Sequence, residues 1–110
     1  MNKVRFIFLL FVISGLINYA CADKADRDEA GFNEICKIYT EVLNSNMSRD
    51  QASKYVFDNI ANRVGSKDAL DLHDVIFQVD PAKRYKIFKE SVEGAIKKKW
   101  DCAAMKTLMK

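Results

Sequence analysis

The chain has 110 residues, 49% of them apolar and 30% charged, with a formal net charge of +3. That length accommodates one domain and not two, and no internal repeat or low-complexity segment divides it. Nucleic acid is not expected as a partner, because no aromatic–basic recognition motif accompanies the small cationic surplus.

Lys3 and Arg5 precede an apolar run from Phe6 to Ile17, and Ala20-Cys21-Ala22 supplies small residues where a signal peptidase reads. Residues 1–22 are therefore expected to be a secretory signal, cleaved before Asp23. The run is shorter than the ~20 residues that span a bilayer, so no stable membrane span is expected. A rival reading cleaves before Cys21 and lipidates its thiol. It meets Asn18, Tyr19 and Ala20 where a bacterial lipobox carries leucine and small residues. The expected location is periplasmic or secreted. Loss of the leader leaves 88 residues and a formal charge of +1.

Residues 23–30 (DKADRDEA) are polar and read as a loose tail or fraying helix start, ahead of a single helical domain at 31–110. Phe32, Ile35, Cys36, Tyr39, Val42 and Leu43 then recur at helical spacing, with Cys36 on the inward stripe. Ser48 and Gln51 form a capping box for a second helix that presents Ala52, Tyr55, Val56, Ile60 and Val64. Gly65 suits the left-handed position that would close it. Asn46-Met47-Ser48 is a glycosylation sequon, which matters only in a eukaryotic host.

Ser66 is placed to cap a third helix carrying Ala69, Leu72, Val75, Ile76 and Val79, with Leu70 and Phe77 on a second stripe. Asp80-Pro81 is a start signal for a fourth, which presents Tyr85, Phe88, Val92, Ala95 and Ile96. Gly94 lies inside that helix, where glycine costs about 1 kcal/mol against alanine; a close helix–helix crossing is the expected reason. Asp101 is a candidate cap for a last short helix with Met105, Leu108 and Met109 inward. No stretch alternates as a strand would. The expected fold is all-α, a small bundle of four helices plus a short C-terminal helix.

Cys36 and Cys102 remain after the leader is removed, and exported thiols in a small domain pair. A disulfide between them is expected, with Trp100 packed beside it. Neither cysteine has a C-x-x-C neighbour, and two cysteines with one distant His73 lack zinc-ligand spacing.

Charge is divided unevenly along the chain. Residues 23–80 hold seven Lys/Arg against twelve Asp/Glu, a net −5, and residues 81–110 hold nine against three, a net +6. The basic end can pair with the acidic helices at their solvated edges. Alternatively Lys83, Lys86, Lys89, Lys97, Lys98 and Lys99 form a patch for another protein or an anionic envelope component.

His73 sits between Asp71 and Asp74, neither of which shares its helical face, so it reads as a half-buried structural residue. No nucleophile–base pair, metal cluster, phosphate-cradling loop or calcium loop emerges, and neither catalysis nor a cofactor is expected. Tyr55, Phe57, Tyr85, Phe88 and Trp100 are candidates for a pocket lining or, at their helical spacing, for the core. In size and its two mature cysteines the chain resembles the small periplasmic acid chaperones, a likeness that carries over no residue. The function expected is non-catalytic binding to another macromolecule through the basic C-terminal segment. A small apolar-ligand carrier and an acid-responsive chaperone are the alternatives.

Overall fold

The computed structural model describes residues 24–109. The leader expected over 1–22, with Cys21 in it, lies outside the described residues. Among those described, every regular element is helical and none is long and apolar enough to cross a membrane.

The first helix, α1, occupies residues 24–43. Residues 24–30, expected as a tail or fraying start, are its first turns. Asp28 is buried there and accepts hydrogen bonds from Ser66 Oγ at 2.8 Å and Lys24 Nζ at 3.0 Å. The polar letters of this stretch concealed a residue facing inward with its partners supplied from elsewhere. Further on, Phe32, Ile35, Ile38, Tyr39 and Val42 are buried, while Leu43 is 42% exposed. The inward stripe is thus turned toward Ile38 and away from Leu43.

Helix α2 spans Arg49–Arg63 and opens with the expected capping box. Ser48 Oγ accepts from Gln51 N–H at 3.2 Å, and Gln51 Oε1 accepts from Ser48 N–H at 3.1 Å. Its end differs from expectation: no glycine among the described residues has a positive φ, and Val64 closes the helix in an extended conformation. An extended exit keeps Val64 buried and brings Ser66 into place as the cap of α3, Lys67–Ile76, where its Oγ accepts from Ala69 N–H. Arg63 joins α2 to α1 through Glu34 at 2.7 Å and Glu41 at 2.8 Å.

In α3 the buried face is Ala69, His73 and Ile76; Val75 points out. Asp80 caps a 3₁₀ turn, Pro81–Lys83, which runs directly into α4, Arg84–Ile96. Proline needs no donor in that first turn, and Arg84 folds back to donate to the carbonyls of Val79 and Phe77, both at 3.1 Å. Phe88, Val92 and Ile96 form the inward face of α4. Phe88 meets Phe32 edge-on at 6.1 Å and Trp100 at 5.8 Å, and Trp100 Nε1–H donates to Asn33 at 2.9 Å.

Helix α5, Ala103–Leu108, buries Ala104 and Met105, followed by Met109, and leaves Leu108 exposed. Asp101 does not cap it; its carboxylate accepts from the Tyr85 hydroxyl, which in turn accepts from Cys102 N–H at 2.9 Å. The Cys36–Cys102 disulfide (S–S 2.06 Å) fastens the start of α5 to the middle of α1.

The close crossing lies at another glycine than expected. Gly94 is exposed, and a Cβ there would meet nothing within 4 Å. A Cβ on Gly31 would stand 2.8 Å from Ser66 Cβ and 3.1 Å from Ala69 Cβ, so α1 approaches the start of α3 only because residue 31 lacks one.

Candidate functional site

The six lysines expected to form a patch serve different ends. Lys89 is structural: its ammonium donates to Glu93 Oε2 at 2.8 Å and to the Trp100 carbonyl at 2.7 Å. The same Glu93 oxygen accepts from Trp100 N–H at 2.9 Å. Lys89 and that backbone donor hold the Glu93 carboxyl below the usual range. Together these groups pin the segment that carries the chain from α4 to α5.

Lys98 reaches Glu29 of α1 at 2.6 Å, and Lys86 lies 4.0 Å from Glu90 one turn along its own helix. Lys83, Lys97 and Lys99 are exposed and form no ion pair among the described residues. The acidic region pairs chiefly with its own cations, as in Lys24–Asp28, Lys54–Asp58 and Lys67–Asp71. Among the described residues Lys98–Glu29 is an ion pair that joins the basic end to it.

A second feature was not anticipated as a site. The end of α1, the turn after it, the first turns of α2 and the end of α5 enclose a half-open groove of about 780 Å³. That volume falls in the range of small-molecule sites, roughly 300–1,000 Å³. Its walls contain Leu43 (42% exposed), Met47 (37%), Phe57 (43%), Phe77 (37%) and Leu108 (40%). Large apolar side chains are left partly in water here because Leu43, Phe57 and Leu108 fall off the inward stripes of their helices, while Met47 and Phe77 lie in the segments that follow α1 and α3. The bundle core closes on Tyr39, Val42, Val56 and Met109 instead, and those residues form the groove's inner wall.

His73 lies behind this wall, fully buried rather than half-buried. Its Nε2 is 2.7 Å from the Tyr39 hydroxyl, and its ring stands edge-on to Phe57 at 5.4 Å and Phe77 at 5.1 Å. Burial pushes its pKa down to about 4, against a weak opposing pull from Asp74. Nδ1 has no hydrogen-bond partner among the described residues. Burial likewise raises the Tyr39 phenol, which therefore keeps its proton.

Arg84 stands at the groove with its guanidinium 5.1 Å from the centre of the Phe77 ring. Arg49, the first residue of α2, lines the groove as well. Neither forms an ion pair among the described residues.

Of the aromatic residues named as candidates for a lining, Phe57 faces this groove. Tyr55 lines a shallower hollow beside Met47, Phe88 and Trp100 are core, and Tyr85 is half-buried against Asp101. No group of three His, Cys, Asp or Glu side chains among the described residues is arranged to hold a metal. The sequence reading placed Leu43 and Leu108 on inward stripes, and their exposure at the groove shows only once the helices are packed. No family model, curated protein or solved structure matches the chain.

Proposed function

We propose that the protein is an exported, non-catalytic binding protein that carries a small apolar ligand in the groove between α1, α2 and α5. The observation that supports this reading is a ligand-sized cavity of about 780 Å³ walled by Leu43, Met47, Phe57, Phe77 and Leu108. Removing such side chains from water drives binding at about 25 cal/mol per Å² of apolar surface. Titration with N-phenylnaphthylamine, an uncharged dye that brightens in apolar surroundings, tests it. Saturable binding that Phe57→Glu and Leu108→Glu each weaken is expected. Absence of saturable binding to the native chain removes the reading.

Export is supported by the leader pattern and by the Cys36–Cys102 bridge, since such bonds persist in oxidising compartments. Intact-mass measurement of native material should give a chain that begins at Asp23 and holds no free thiol.

A second reading, contact with an acidic protein or an anionic envelope component through the C-terminal segment, is favoured by Lys83, Lys97 and Lys99. They stand exposed without an ion pair among the described residues. Replacing Lys97, Lys98 and Lys99 together by Gln should lower recovery of the partner at low salt. Unchanged recovery would discard it.

A further inference from the structure

If the groove is a ligand site, the charge around it narrows the ligand further. Among the described residues the lining includes two arginines, Arg49 and Arg84, and no aspartate or glutamate, in a chain that carries fifteen acidic residues. Arg63, by contrast, is paired with the carboxylates of Glu34 and Glu41. Arg84 is held in place without one. Its Nε and Nη2 donate to the carbonyls of Val79 and Phe77, and its plane rests near the Phe77 ring. Backbone carbonyls anchor a guanidinium but leave its full charge uncancelled. A fixed fork of this kind is already arranged to take a planar anion, with little further ordering needed. The Arg84 charge also acts on Tyr39 at the groove's inner wall, offsetting part of the rise that burial gives the phenol.

We infer that the ligand is a single-chain carboxylate amphiphile, its tail against Leu43, Phe57 and Leu108 and its carboxylate at Arg84 and Arg49. The volume, about 780 Å³, lies within the roughly 300–1,000 Å³ of small-molecule sites and fits one such molecule. Both ends of the ligand are then matched: an apolar wall for the chain and unpaired guanidinium groups for the head.

Displacement of N-phenylnaphthylamine from the full mature chain by dodecanoate, dodecanol, dodecyl phosphate and dodecyltrimethylammonium tests this. Dodecanoate is expected to bind about tenfold or more tightly than dodecanol, because its head makes charge-assisted hydrogen bonds. Lengthening the acid should tighten binding by roughly fourfold per methylene until the groove is filled. Arg84→Gln and Arg49→Gln should each shrink the preference for dodecanoate over dodecanol. Arg49, exposed and with no side-chain hydrogen bond among the described residues, keeps the test available if the Arg84 variant does not fold. Equal affinity for acid, alcohol and ammonium overturns the inference while leaving an apolar groove that binds the dye. Dodecyl phosphate binding more tightly than dodecanoate overturns the choice of carboxylate. A dimer in sedimentation that occludes the dye site identifies a second copy as the occupant and overturns it too. Failure of the dye itself to bind removes the groove reading beneath it.

Discussion

His73 is a neutral imidazole enclosed by Tyr39, Phe57 and Phe77, on three different stretches of the bundle. The unfolded chain takes up a proton at this residue near pH 6.5, whereas the folded chain resists it until about pH 4. Folding is therefore weakened as pH falls through that window, by roughly 3 kcal/mol in total at 1.36 kcal/mol per pH unit. Urea unfolding measured between pH 7 and 4 should show this loss. In His73→Leu the slope above about pH 5 should vanish, at the cost of about 1–3 kcal/mol at pH 7 from the stranded Tyr39 hydroxyl. An unchanged slope would place the titrating group elsewhere. The two glycines make a second residue-scale test with opposite signs. Gly94→Ala should raise stability by about 1 kcal/mol, because the site is open and helical. Gly31→Ala should lower it by about 1–3 kcal/mol, since the new Cβ presses on Ser66 and Ala69. Thermal melts of both variants decide this. The sequence reading placed Gly94 inside a helix and Gly31 just ahead of one, with nothing local to say which met a neighbour. Only the crossing of α1 over the start of α3 distinguishes them.

At the scale of the elements, the features legible in the sequence were those that short-range chemistry dictates. Ser48 with Gln51 and Ser66 with the Ala69 N–H each depend on residues three apart. The i, i+3, i+4 stripes of α1, α3 and α4 follow from helical geometry alone. What failed was finer than a turn: Ile38 for Leu43, Val75 turned outward, and a left-handed closing residue at Lys97 rather than at Gly65. Each is decided by which neighbour the helix meets. Helix α5 shows the same dependence most strongly. Six residues are too few to be helical alone, and no side chain caps its start. The disulfide and the clasp of Lys89, Glu93 and Trp100 hold it instead. The bridge joins residues 66 apart, a closure worth about 4 kcal/mol in the chain-entropy model. The double variant Cys36→Ser/Cys102→Ser should lose a comparable amount in denaturant unfolding. Its α5 amides should exchange with solvent well before those of α1. Amide protection in α5 that survives the substitution would transfer its stability to the clasp.

Over the whole molecule, the groove and the ion-pair network lie on the same α1–α2 pairing. Neither could be read from the sequence, because each needs residues from elements far apart in the chain. Arg63 at the end of α2 draws Glu34 and Glu41 of α1 together, and Tyr55 donates to Glu41 at 2.7 Å. Arg63, then Tyr55, hold the Glu41 carboxyl down to about 2. A carboxyl whose folded pKa is depressed lends stability above its unfolded value near 4.5, and that stability is lost as pH falls toward 2. Acid should thus loosen the bundle in two stages, His73 in the window from 6.5 to 4 and this network below it. Arg63→Gln separates them. At pH 7 it should lower the melting temperature, since two half-exposed carboxylates lose their common cation. Between pH 4.5 and 2 the gap to the native chain should close, because Glu41 becomes protonated in both. The slope between pH 6.5 and 4.5 should stay as in the native chain. A gap that persists at pH 2 would mean that Arg63 supports α2 through the packing of its aliphatic stem rather than through charge.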